Sequence, residues 1–182
     1  RRSESLSSFG RTAVEAQAAA PVIRGRARSQ AANNPAAANG VRALTAGLVG
    51  AGIKTESQHP DPNTRSELGR AFTAWAEAPD AEGRTNLAGL QTAIARALVI
   101  DGEIYVALEN GPDGLPRLRL IPAELIDEAD NRKLPNGGEV IAGVEFDAAR
   151  RRVAYHVLPG DPADVFATSG PSQRIPAEAM LH

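Results

Sequence analysis

The 182-residue chain contains no cysteine, and that absence excludes disulfide scaffolds, thiolate zinc sites, iron–sulfur clusters and cysteine nucleophiles together. Aromatic residues make up only 4% of it, so the expected core is aliphatic and alanine-rich, with Phe72, Trp75, Tyr105, Phe146, Tyr155 and Phe166 as its few large anchors. No stretch approaches the roughly 18 consecutive apolar residues of a membrane span. The best apolar run, residues 18–23, follows Glu15 and Gln17 and does not read as a secretion signal. The expectation is a soluble, intracellular chain with no membrane partner. Phosphate-cradling glycine loops are missing as well: Gly47, Gly50 and Gly52 form neither a P-loop nor a dinucleotide fingerprint, and no lysine stands where a Walker loop needs one. Nucleotide hydrolysis is unsupported.

What is present fits one ordinary domain with an arm. The apolar share is 42% and the charged share 23%, close to globular averages. Charge is unevenly spread. Residues 1–30 carry six arginines (Arg1, Arg2, Arg11, Arg24, Arg26, Arg28) against Glu4 and Glu15, while the remainder holds 14 basic and 20 acidic residues. A basic arm, residues 1–35 and partly flexible, therefore precedes an acidic body, residues 36–182; such an arm suits phosphates or an acidic neighbouring subunit. The chain starts at Arg1 without methionine and stops at His182 after an apolar Ala-Met-Leu, so a piece of a longer product is expected.

Helical patterns come first. Residues 1–20 are Ser- and Ala-rich and read as loose alone, or helical with a partner, with Pro21 as punctuation. A helical segment from Val22 ends at Asn33-Asn34-Pro35, and Asn34 can cap the helix that follows. In that helix Val41, Leu44 and Leu48 form one apolar face, and Gly50-Ala51-Gly52 stops it. Thr64-Arg65-Ser66-Glu67 has capping-box spacing ahead of a helix that presents Leu68, Phe72 and Trp75 to a core. Thr85 can cap a further helix with a stripe of Leu87, Leu90, Ile94 and Leu98, ending near Asp101-Gly102.

The period then changes to two. Residues 104–108 alternate as a half-buried strand, residues 110–114 form a strong turn, and Leu118 and Leu120 alternate with Arg117 and Arg119. Residues 123–126 suit a helical turn. After a turn at Asn136-Gly137-Gly138, strands over residues 140–146 and 153–158 bracket a four-residue connection, 147–150. Helices followed by strands favour an α+β fold with a mostly antiparallel strand-rich region.

Few residues offer chemistry. His59, His156 and His182 lie far apart without ligand spacing, and no metal or cofactor is expected. Asp101 and Glu103 flank a glycine at the helix-to-strand junction and could act as an acid–base pair in a metal-assisted hydrolase; capping and solvation explain them more simply. Glu145 and Asp147 read as the solvated side of a strand. Arg150-Arg151-Arg152 sits in a turn where a charge run keeps the tip in water. Arg24, Arg26 and Arg28, spaced two apart, are the candidate DNA or subunit contacts, although no aromatic residue interleaves them to stack on bases. Alone, these observations stop at a soluble α+β domain with a basic arm, for which a stand-alone nucleic-acid-binding adaptor using that arm is one reading.

Several phrases, in order, resemble the amino-terminal part of lambda-type phage portal proteins. They are the arginine segment leading to Asn33-Asn34-Pro35, the helix running into residues 48–53, and Phe72 and Trp75 followed by Asp80 and Gly83. The junction at residues 98–106, with Asp101-Gly102-Glu103 at its centre, continues the likeness, as do residues 143–147, 153–158 and 174–182. Family members usually continue beyond this point into an arginine-proline-glycine-glutamine phrase and further helices. The resemblance implies a portal wing-like fold with the channel-lining stem absent from these residues, and no enzymatic role. It further implies a homo-oligomeric ring, usually of twelve subunits, at a capsid vertex of the virion, assembled in the host cytoplasm. Its implied partners are the terminase, capsid and head-completion proteins, and double-stranded DNA passing through during packaging and ejection.

Overall fold

The computed structural model describes residues 13–161, 166 and 170–182. Four helices, α1 (Ala13–Asn33), α2 (Pro35–Val49), α3 (Pro62–Ala76) and α4 (Leu87–Asp101), precede eight short strands, so the fold is α+β with antiparallel sheets. α1 includes residues 13–20 and runs through Pro21, forgoing the hydrogen bond that proline cannot donate. It breaks at Asn34, whose side chain accepts from the Ala36 and Ala37 backbone N–H groups at 3.0 and 3.4 Å, with Pro35 as the first residue of α2. The two later caps differ from the sequence expectation. Asp61 rather than Thr64 caps α3, accepting both the Thr64 N–H and hydroxyl, and Asn86 rather than Thr85 caps α4. In each case the carboxylate or amide oxygen reaches the third N–H of its helix, which is the capping geometry.

The strands are β1 (Tyr105–Asn110), β2 (Pro116–Ile121), β3 (Arg132–Lys133), β4 (Glu139–Ile141), β5 (Val144–Phe146), β6 (Arg152–Val157), β7 (Gln173–Pro176) and β8 (Met180–Leu181). They form a three-stranded sheet ordered β2-β1-β8 and a five-stranded sheet ordered β3-β4-β5-β6-β7. The single strand expected over residues 140–146 is a hairpin, β4 paired with β5. Ala142 and Gly143 both adopt positive φ, 50° and 75°, and fold the chain back in two residues.

The core lies where the two sheets meet. Tyr105 and Ala107 of β1, Ile121, Ala123, Ile126, Tyr155 and Val157 of β6, and Met180 are all buried together, with the Tyr105 and Tyr155 rings edge-on at 5.6 Å. The expected anchors Phe72 and Trp75 are only half buried, and Phe166 is 92% exposed. Trp75 donates its indole N–H to the Pro116 carbonyl at 2.7 Å, tying α3 to the tip of the β1–β2 hairpin. α2 and α4 pack through small side chains, with Thr45 and Ala95 buried, whereas Leu44 and Leu48, expected to face the core, are 59% and 64% exposed. Small residues permit close helix approach and turn the leucine stripe outward.

Candidate functional site

Arg24 and Arg28 stand four residues apart on α1 and so share one face, while Arg26 lies about 200° around the helix. The Arg24 guanidinium is buried and donates to Glu128 at 2.7 Å and Glu103 at 3.4 Å. Arg28 grips two carboxylates bidentately, Asp101 at 2.7 and 3.0 Å and Glu124 at 2.9 and 2.8 Å. These paired hydrogen bonds push the Arg28 guanidinium further toward its charged form and hold the Glu124 carboxyl below the usual carboxylate range. Arg26 is exposed and makes no ion pair among the described residues. The three arginines proposed as DNA or subunit contacts thus divide: two are turned into their own chain and one faces outward.

The four carboxylates sit at the joint between the halves of the fold. Asp101 closes α4, Gly102 takes left-handed φ of 85°, and Glu103 begins the lead into β1. The α1 arginines offset the repulsion among these acids. Glu103 also accepts from the Tyr105 hydroxyl at 3.1 Å. Burial and that neighbouring carboxylate push the Tyr105 phenol well above its ordinary range. The His182 ring stacks on Tyr105 at a centroid distance of 4.1 Å, and burial pushes its imidazole down. Asp101 and Glu103 are therefore occupied as anchors for α1. Among the described residues no three His, Asp or Glu side chains converge as metal ligands.

A second polar cluster, missed by the sequence reading, lies on the five-stranded sheet. Glu145 is buried, not solvated: Arg174 donates to it at 2.8 and 3.0 Å, and His156 approaches at 3.2 Å. Arg174, opposite it across β6, holds the Glu145 carboxyl below its ordinary range. Asp130 faces the other side of the His156 ring at 3.7 Å. The strand order places β5, β6 and β7 side by side, so that Glu145, His156 and Arg174 line one face. Asp80 is likewise a buried carboxylate satisfied by backbone, accepting from the N–H groups of Glu82, Arg84 and Thr85 at 3.0, 3.0 and 3.2 Å. It fixes the loop that hydrogen-bonds to β2 through Leu118. The 150–152 arginine run is engaged rather than merely solvated, since Arg150 pairs with Glu139, Arg151 with Asp147 at 2.8 Å, and Arg152 donates to the Tyr155 hydroxyl at 3.0 Å.

These clusters join distant segments of the chain. The arrangement positions surfaces. The sequence matches the model of the phage portal protein, lambda family, over residues 2–182. No curated protein matches the chain.

Proposed function

This chain belongs to the lambda family of phage portal proteins, and on that premise we propose that it is the wing-like part of a subunit in a ring-shaped conduit at a capsid vertex. The family is structural, and the role proposed is passage of double-stranded DNA during packaging and ejection, with docking of the terminase and nucleation of the head. The supporting observation is the family match, which covers essentially every residue. Two geometric features agree with it. The polar clusters cross-brace distant segments, as a load-bearing shell requires, and apolar side chains on α1, α2 and α4 (Val22, Ile23, Leu44, Leu48, Leu98) remain exposed for neighbours.

Closed rings use heterologous contacts, so one face of each subunit must complement a different face of the next. We place Arg26 at such a contact, or against the DNA backbone, because Arg24 and Arg28 are spent within the chain. A stand-alone nucleic-acid adaptor would need its cations turned outward to neutralise phosphates. Negative-stain imaging with mass determination of the full-length gene product tests the reading. Rings with an open central hole, near twelve subunits, are expected; a monomer or dimer at all concentrations overturns it.

A further inference from the structure

Between α2 and α4 runs a groove of about 390 Å³, lined by Arg42, Thr45, Ala46 and Val49 on one side and Thr92 and Arg96 on the other. Arg42 and Arg96 are exposed, and neither makes an ion pair among the described residues. That contrasts with the 102–182 half, where seven of the eight basic side chains (Arg117, Arg119, Arg132, Lys133, Arg150, Arg151 and Arg174) pair with carboxylates and the eighth, Arg152, donates to the Tyr155 hydroxyl. Two unpaired guanidiniums lining one groove repel each other unless an anion lies between them. The second observation is Thr45: it is 8% exposed, and its hydroxyl is enclosed without a hydrogen-bond partner. A buried hydroxyl left so costs about 1–3 kcal/mol, which is why such groups are normally satisfied. Two unpaired cations and an unmet hydroxyl lining one groove make an incomplete oxyanion site.

We infer that this groove receives a carboxylate side chain from the neighbouring copy of the chain, one carried by its 102–182 half. The inference rests on the ring reading above. Ala46 and Val49 in the groove's lining offer apolar contact to the aliphatic stem of a glutamate, whereas a DNA duplex is too broad and rigid to bring a phosphate close to the recessed Thr45. Charge supports that choice. Residues 102–182 carry 13 acidic against eight basic side chains, and residues 13–101 carry eight acidic against nine basic. Within one chain this asymmetry joins the halves through Arg24 and Arg28; between copies, Arg42 and Arg96 repeat it in the head-to-tail sense that ring closure demands. Glu178, exposed and without an ion pair among the described residues, is the leading donor.

The test compares the full-length wild type with the Arg42→Ala/Arg96→Ala pair and with Thr45→Val, by mass photometry across concentration and salt, with a fluorescent 30-base-pair duplex as a second probe. Exposed arginines without intrachain partners leave the fold intact, which circular dichroism checks. The expected result is an at least tenfold higher concentration for half-assembly in the arginine pair, with a flattened salt dependence. Thr45→Val is expected to melt at or above the wild-type temperature yet assemble more weakly, a sign reversal that a packing role would not give. Wild-type assembly by the arginine pair overturns the proposal, and a loss of duplex affinity in that case assigns the groove to DNA. A wild type that forms no ring removes both the ring reading and this site, an outcome distinct from the first.

Discussion

Arg24 in the first helix donates to Glu128, 104 positions along the chain, at 2.7 Å, and its guanidinium is buried where it does so. A buried arginine requires partners, since an isolated charge out of water is costly. Glu103 and Glu128 supply them, and α1 is thereby held against the start of β1 and the loop after β2. The contact ties α1 to the strand half of the fold, while Val22 and Ile23 on the same helix are 55% and 60% exposed and Ala31 is buried.

Arg24→Ala is therefore expected to destabilise the fold by about 2 kcal/mol, below the full penalty for breaking a buried pair because both glutamates are part-exposed. Arg28→Ala, whose side chain is 43% exposed, is expected to lose no more than about 1 kcal/mol. Urea unfolding monitored by far-ultraviolet circular dichroism measures both. Equal losses would show that burial does not set the strength of this clamp.

Acid should loosen the molecule through Glu124 and Glu145, whose carboxyls are held below the ordinary range by Arg28 and Arg174 respectively. A depressed folded-state pKa means the unfolded chain binds protons first, so stability rises with pH across this window. The contribution is complete above the ordinary glutamate value of about 4.3 and is lost as pH falls through the depressed values. Melting temperatures measured from pH 6 down to pH 3 should drop, and Glu145→Gln should have a shallower drop from a lower starting point. An unchanged pH slope in that variant would remove Glu145 from the account.

The β4–β5 turn gives a pair of opposite substitutions. A side chain at Gly143, with φ of 75°, would place its Cβ 2.8 Å from the Asp127 carbonyl oxygen and from the Ile126 methyl, so Gly143→Ala should destabilise by about 2 kcal/mol or more. Ala142 holds a φ of 50° that alanine adopts at some strain, and Ala142→Gly should be neutral or stabilising by up to about 1 kcal/mol. Thermal unfolding decides both signs, and a stabilising Gly143→Ala would contradict the turn geometry.

Trp75→Phe removes the indole N–H that meets the Pro116 carbonyl while keeping a ring beside Phe72. A loss of about 1 kcal/mol is expected. Hydrogen exchange should show faster opening of α3 with the β4–β6 strands unaffected.

Element types were legible in the sequence because they depend on neighbours a few residues away. The Asn34 cap, the Gly102 stop and the 110–114 turn are local chemistry, and each is where the pattern predicts it. What local pattern could not show was the partner of each face. Period-two reasoning puts Glu145 outward, but β6 and β7 bring His156 and Arg174 onto that side from 11 and 29 positions away. The same limit applies to Leu44 and Leu48: their spacing marks an apolar helix face, and only the packing of Thr45 against α4 shows that the face points away from this chain's own core. The α1 arginines read as a basic arm because their acids lie 73 to 104 residues downstream. A ten-to-twenty-residue window cannot contain such a pair, although the excess of acids beyond residue 30 was its one visible trace.

That separation also sets an order of events on the ribosome. At synthesis rates of about 5–20 residues per second, Arg24 waits about 4 to 20 s between its own emergence and that of Glu103 and Glu128. During this interval α1 has neither its counter-ions nor the sheets beneath them, and its guanidiniums are open to any polyanion within reach. Nascent chains are therefore most prone to stick to nucleic acid, or to trade first helices with one another, before the joint between helices and strands has been made.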